Sequence, residues 1–155
     1  MCKAVSHEWY GAFVDNISYM VNIRYLCGVY YAKENFIWMD YALEKNDKYI
    51  LLTINEKNLN TANAAELKSL LVYLFQDPQR YLVIDLGAVE YIDSSGLSAI
   101  LTGYRLWRER GGMFLIGVEA EPVRRLIEIS KLDDVLTIVP DLDTALAEMV
   151  ESDDA

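Results

Sequence analysis

The chain has 155 residues, 53% of them hydrophobic and 25% charged, enough for one domain around a single core and unlike a disordered, collagenous or disulfide-scaffold composition. Its formal charge is −10, from 14 Lys and Arg against 24 Asp and Glu. That balance repels nucleic acid and anionic membrane surfaces and favours solubility and a basic protein partner. Cys2, Cys27 and the only histidine, His7, all lie in residues 1–38, so no disulfide and no Cys/His zinc site can support the rest of the chain.

Residues 1–38 are neutral, with three basic and three acidic residues, and hold nine of the 18 aromatics, among them Trp9, Tyr10, Tyr30, Tyr31 and Trp38. They show no sustained helical or strand period. A basic n-region followed by an unbroken apolar core is missing, and Gly11 to Ala32 is interrupted by Asp15, Asn16, Asn22 and Arg24, too polar for a membrane-spanning helix. Two readings stand: an aromatic accessory arm, or an upstream extension read from an early start codon with Met39 as the natural start. The patterned sequence begins directly after Met39, which favours the second.

Beyond Met39 the elements follow in order. Tyr41 to Lys45 alternates apolar and polar residues, Asn46-Asp47 is turn chemistry, and Lys48 to Asn55 completes a predicted β-hairpin. Glu56 to Asn63 is a polar connection whose last residue suits an N-cap. The helix after it runs to about Phe75, with Leu67, Leu70, Leu71 and Leu74 on one face, and Asp77-Pro78 ends it. Tyr81 to Leu86 is a nearly continuous apolar strand, and Val89 to Ile92 a short extended approach to the next helix. That helix spans about Ser95 to Arg110 and stops at Gly111-Gly112. Met113 to Val118 is a buried strand, and Pro122 opens a helix with Val123, Leu126 and Ile127 inside. Val135 to Val139 is the last strand, Asp141 to about Val150 the last helix, and Glu151 to Ala155 should fray. A hairpin followed by alternating strands and helices implies a single α/β domain over residues 39–155, with a mixed, mostly parallel sheet, the hairpin at its edge and about four helices.

One constellation carries chemistry. Asp93-Ser94-Ser95-Gly96-Leu97 lies where a strand gives way to a long helix, the position at which α/β sheets concentrate function. Unpaired N–H groups and the positive end of the helix dipole there suit an anion such as a serine-linked phosphate. Gly96 removes a side chain where a partner's surface would approach. Asp and Ser are also the commonest N-caps, so the motif taken alone reads first as a cap.

The segment Tyr91-Ile-Asp-Ser-Ser-Gly-Leu-Ser-Ala-Ile100 resembles the signature of the STAS family, the domain of anti-sigma factor antagonists. The order of elements, the Gly111-Gly112 stop and Pro122 to Ile127 followed by Ser130 to Asp133 are similar to that family too, so the resemblance covers residues 39–155. It implies partner switching in the cytoplasm. The unphosphorylated antagonist binds a serine kinase that doubles as an anti-sigma factor, the kinase phosphorylates it with ATP, and a PPM-type phosphatase reverses the step. The implied acceptor is Ser94, with Asp93 orienting the loop and assisting phosphoryl transfer from the kinase, and with Asp93, Ser95, Gly96, Leu97, Asn60 and Thr61 as partner-binding positions. Many relatives carry an acidic residue where this chain has Asn60, which therefore reads equally as a contact and as a loop residue.

Other functions fit less well. Ser94 and Ser95 are not in a Gly-x-Ser-x-Gly elbow, and His7 lies outside the patterned region, so no catalytic triad is expected. Phosphate-binding Gly-x-x-x-x-Gly-Lys-Ser/Thr and Gly-x-Gly-x-x-Gly loops are missing, and no cofactor, metal or catalytic residue is assigned. A STAS scaffold without phosphorylation, or one associated with a transporter, is the remaining alternative.

Overall fold

The computed structural model describes residues 39–154. The aromatic segment 1–38, and the two readings given for it, lie outside the described residues. Strands β1 (Tyr41–Lys45) and β2 (Tyr49–Ile54) form the expected hairpin, in antiparallel register from Tyr41 opposite Ile54 to Lys45 opposite Ile50. Its turn is shaped by Asn46, whose side-chain oxygen accepts the N–H groups of Lys48 and Tyr49, both at 2.9 Å.

The hairpin is the edge of a five-stranded sheet. β2 continues parallel to β4 (Tyr81–Asp85), β4 to β6 (Gly112–Ile116), and β6 to the short β7 (Thr137–Ile138). Strands β2, β4 and β6 are buried almost throughout, as their continuous apolar runs require. One face carries Leu51, Tyr81, Val83, Phe114 and Ile116 against Ala145 and Met149 of helix α4 (Leu142–Asp154). The alternate residues, including Leu52, Leu82, Ile84 and Leu115, are fully buried on the other face. Helix α2 (Ser94–Trp107) lies against β4 and β6, and α1 (Thr61–Leu74) packs on α2. Gly103 lets α2 approach closely: a Cβ there would stand 3.0 Å from Met113 Sδ and 3.3 Å from Leu71 Cδ1. Helix α3 (Glu121–Ile129) buries Val123 and Ile127.

Several boundaries differ from the sequence expectation. The connection Glu56 to Asn63 contains a strand, β3 (Asn58–Leu59), which pairs in parallel with β5 (Tyr91–Ile92) as a separate two-stranded sheet. Helix α1 consequently starts at Thr61 with Asn60, not Asn63, as its cap. Helix α4 continues to Asp154, past the expected fraying point at Glu151. Helix α2 ends at Trp107, whose fully buried ring meets Phe75 edge-on with centroids 5.2 Å apart. Arg110 covers the other side of that contact, its guanidinium carbon 3.8 Å from the Phe75 centroid and its Nη1 donating to the Asp77 carbonyl at 2.6 Å.

Candidate functional site

The small β3–β5 sheet sets the geometry of the site. Asn58 pairs with Tyr91 and Leu59 with Ile92, and the Asp93 N–H donates to the Leu59 carbonyl at 3.1 Å. Each strand runs directly into a helix, so the starts of α1 and α2 lie side by side.

Both starts are capped by side chains. Asn60 accepts the Ala62 N–H at 2.9 Å, while Asn63 accepts the Asn60 N–H at 2.9 Å, a reciprocal capping box. The amide of Asn63 also donates to the Asn58 carbonyl at 2.8 Å, so this buried polar side chain is satisfied. On α2 the cap is Asp93. Its Oδ1 accepts the Gly96 N–H at 2.9 Å. Its Oδ2 accepts the Thr61 N–H at 3.2 Å and the Thr61 hydroxyl at 3.3 Å, and Thr61 Oγ1 lies 3.1 Å from Ser95 Oγ. One carboxylate thus ties the two helix starts together. The Gly96 N–H in particular, helped by the Thr61 and Ser95 donors and opposed by slight desolvation, holds the Asp93 carboxyl below the usual aspartate value.

The predicted site residues separate into a surface and a support. Ser94 occupies the first position of α2, exposed, and among the described residues its hydroxyl takes no hydrogen bond. Thr61 is exposed beside it, and Asn60, Asp93 and Ser95 are half-buried. Gly96 and Leu97 are buried and belong to the support. The close approach that Gly96 permits is to the chain itself, since a Cβ would collide with the Leu59 carbonyl oxygen and lie 2.9 Å from its carbon. Two contributors were not singled out as site residues from the sequence: Asn63, whose capping role needs β3 in place, and Tyr91, half-exposed next to the Asp93-Ser94 segment.

Hollows occur between α3 and β7, lined by Val118, Ile127 and Ile138, and on α1, lined by Lys68 and Val72; Ser94, Thr61 and Asp93 line neither. Among the described residues no group of His, Cys, Asp and Glu could hold a metal ion, and no helix is long and apolar enough to cross a membrane.

Residues 40–145 match the family model of the STAS domain. The chain belongs to the STAS domain family. An anti-sigma F factor antagonist from Paenibacillus polymyxa is 33% identical over 69 residues, 44% of this chain; the match spans 59% of that relative's own length. The crystal structure of an anti-sigma factor antagonist from Mycobacterium paratuberculosis superposes with a TM-score of 0.65 at 25% identity, covering 72% of this chain and 94% of that one. The antagonist SpoIIAA, solved in its unphosphorylated form, shares the STAS fold at 16% identity, with a TM-score of 0.60 over 72% of this chain and 97% of that one. The phosphorylated form from Bacillus superposes with a TM-score of 0.54 at 14% identity, over 70% of this chain and 98% of that one. This STAS domain therefore has the anti-sigma factor antagonist fold, with Asp93-Ser94 at the start of its second described helix.

Proposed function

We propose that this domain is an anti-sigma factor antagonist acting in the cytoplasm by phosphorylation-controlled partner switching, with Ser94 as the acceptor. Unphosphorylated, its face around Ser94 binds a serine kinase that is also an anti-sigma factor. In the complex, Ser94 Oγ attacks the γ-phosphorus of ATP; the Oγ–P bond forms, the bond to the bridging oxygen breaks and ADP leaves. The Ser94 proton goes to a base on the kinase, because the hydrogen bonds from Gly96 and Thr61 lower the basicity of the Asp93 carboxylate. Asp93 then positions the loop and takes no part as the base. A PPM-type phosphatase hydrolyses the ester, returning the serine and releasing inorganic phosphate.

The observation that carries this reading is the contrast between Ser94, exposed with an unengaged hydroxyl, and its neighbours, which are tied to the frame. The switch itself follows from electrostatics. A phosphate adds about −1.5 to −2 charge. The nearby Gly96 and Thr61 N–H groups do not neutralise it, because they are bonded to the Asp93 carboxylate. The new charge sits beside that carboxylate on a −10 chain, and burying it in an interface is unfavourable.

Intact-protein mass spectrometry on the chain from its own cells, with fragmentation, tests the proposal. A phosphate on Ser94 in a fraction of the molecules is the expected result. A chain unmodified across growth and stress conditions would replace the switch with a constitutive STAS scaffold.

A further inference from the structure

We infer that the functional chain starts at Met39 and that Glu66, with Glu56 beside it, is the binding site for its α-ammonium. This site is independent of the switch at Ser94. The nitrogen concerned is already in place, since the Met39 N–H donates to Glu66 Oε2 at 2.8 Å. The Met39 side chain is 3% exposed, so the residue that an initiation codon supplies fills part of the core. Asp40 is held as firmly. Its N–H donates to Glu56 Oε1 at 2.7 Å, and its carbonyl accepts the Asn55 N–H at 2.9 Å.

The charges around that nitrogen are all of one sign. Glu66 is half-buried on α1, and the half-buried Glu56 repels it from the connection after β2. From β1, Tyr41 faces Glu66; burial and then Glu66 itself raise the pKa of its hydroxyl, which is neutral. Asp40 between them is exposed. Among the described residues the ion pairs are Lys45 with Asp77 and Lys57 with Glu90, and neither Glu56 nor Glu66 takes part in one. A peptide N–H at residue 39 brings one donor and no charge to this pair of carboxylates. An α-ammonium on the same nitrogen brings three donors and a full positive charge, and hydrogen bonds between ionised groups are roughly twice as strong as neutral ones. A buried carboxylate without a cation is unfavourable, and a cation within hydrogen-bond distance reverses that. Glu66 therefore weakens a chain that runs on through Trp38 and strengthens one that begins at Met39.

The intact mass of the protein isolated from its own cells, with fragmentation of its N-terminus, is the first readout. A chain starting at Met39 with a free amine is expected, and a chain found only with Met1 as its start overturns the inference. The second readout is the pH dependence of acylation of that amine. It should titrate about one unit or more above the ordinary range of about 7.7–8.0 and return to that range in Glu66→Gln. An ordinary value in the unsubstituted chain overturns the ammonium site even where Met39 is the start. The third is the sign of Glu66→Gln at pH 7 in thermal unfolding. It should raise Tm in the chain from Met1, where residue 39 is a neutral amide, and lower it in the chain from Met39; the same sign in both overturns the inference. Should Glu66→Gln fail to fold, one glycine placed ahead of Met39 decides, because it turns the ammonium into an amide. That chain is expected to melt below the Met39 chain, and an unchanged Tm counts as refutation.

Discussion

At the scale of single residues, the site depends on one carboxylate and one missing side chain. Asp93 is stabilised in its charged form, so its folded-state pKa lies below the usual 3.8. A depressed acid contributes stability that is fully present above its unfolded pKa and is lost as pH falls through the folded value. Asp93→Asn is thus expected to be less stable than wild type at neutral pH, with the gap closing below about pH 3.8; urea titrations at a series of pH values measure it, and a constant gap would show that only cap geometry matters. Glu66 has the opposite sign. Burial raises its pKa above 4.5, against the Met39 N–H it accepts at 2.8 Å and with Glu56 adding to the rise. Its charged form is penalised as pH rises through the folded value, so Glu66→Gln should stabilise the fold at neutral pH and lose that advantage in acid. Gly96→Ala, forced against the Leu59 carbonyl, should cost about 1–3 kcal/mol in the same unfolding assay. Its expected signature is lower stability with Ser94 still phosphorylated in the folded fraction.

Among the elements, α1 and α2 behave as one unit because they share both a core and a cap. Leu67, Leu71 and Leu74 are fully buried on α1, and Thr61 at its start bonds the cap of α2. Leu71→Ala should cost about 2–5 kcal/mol through the cavity it leaves. Thr61→Val removes the hydroxyl contacts to Asp93 and Ser95 and should cost about 0.5–1.5 kcal/mol. Comparing these two variants by thermal unfolding separates the shared core from the shared cap. The start of α1 was misplaced by three residues in the sequence reading for an identifiable reason. Asn60 and Asn63 are both good caps. The choice was made by β3 pairing with β5, a contact between positions more than thirty residues apart that no local signal encodes.

For the molecule as a whole, the first described residue is anchored in the fold: the Met39 side chain is buried and its N–H donates to Glu66. A chain beginning at Met39 is therefore expected to keep the fold, its α-ammonium replacing the amide on Glu66. Near-ultraviolet circular dichroism reporting on the buried Trp107 checks this, and loss of that signal would assign residues 1–38 a structural role. Ser94→Glu should leave the same spectrum unchanged, since Ser94 is exposed and unbonded, while weakening kinase binding.

The sequence by itself determined the class of fold, the hairpin edge, the buried strands and the position of Ser94, because hydrophobic period, turn residues and caps act over a few neighbouring residues. Only the tertiary structure decided which motif residues face outward. Gly96 and Leu97 look like surface in a loop motif, yet the seat of α2 on Leu59 buries them. Tyr91 carries no site signal in sequence, and the pairing of two short strands brings it and Thr61 to the segment that carries Ser94. The reason is physical: exposure and hydrogen-bond partnership are set by contacts distant along the chain, and a local pattern carries no record of them.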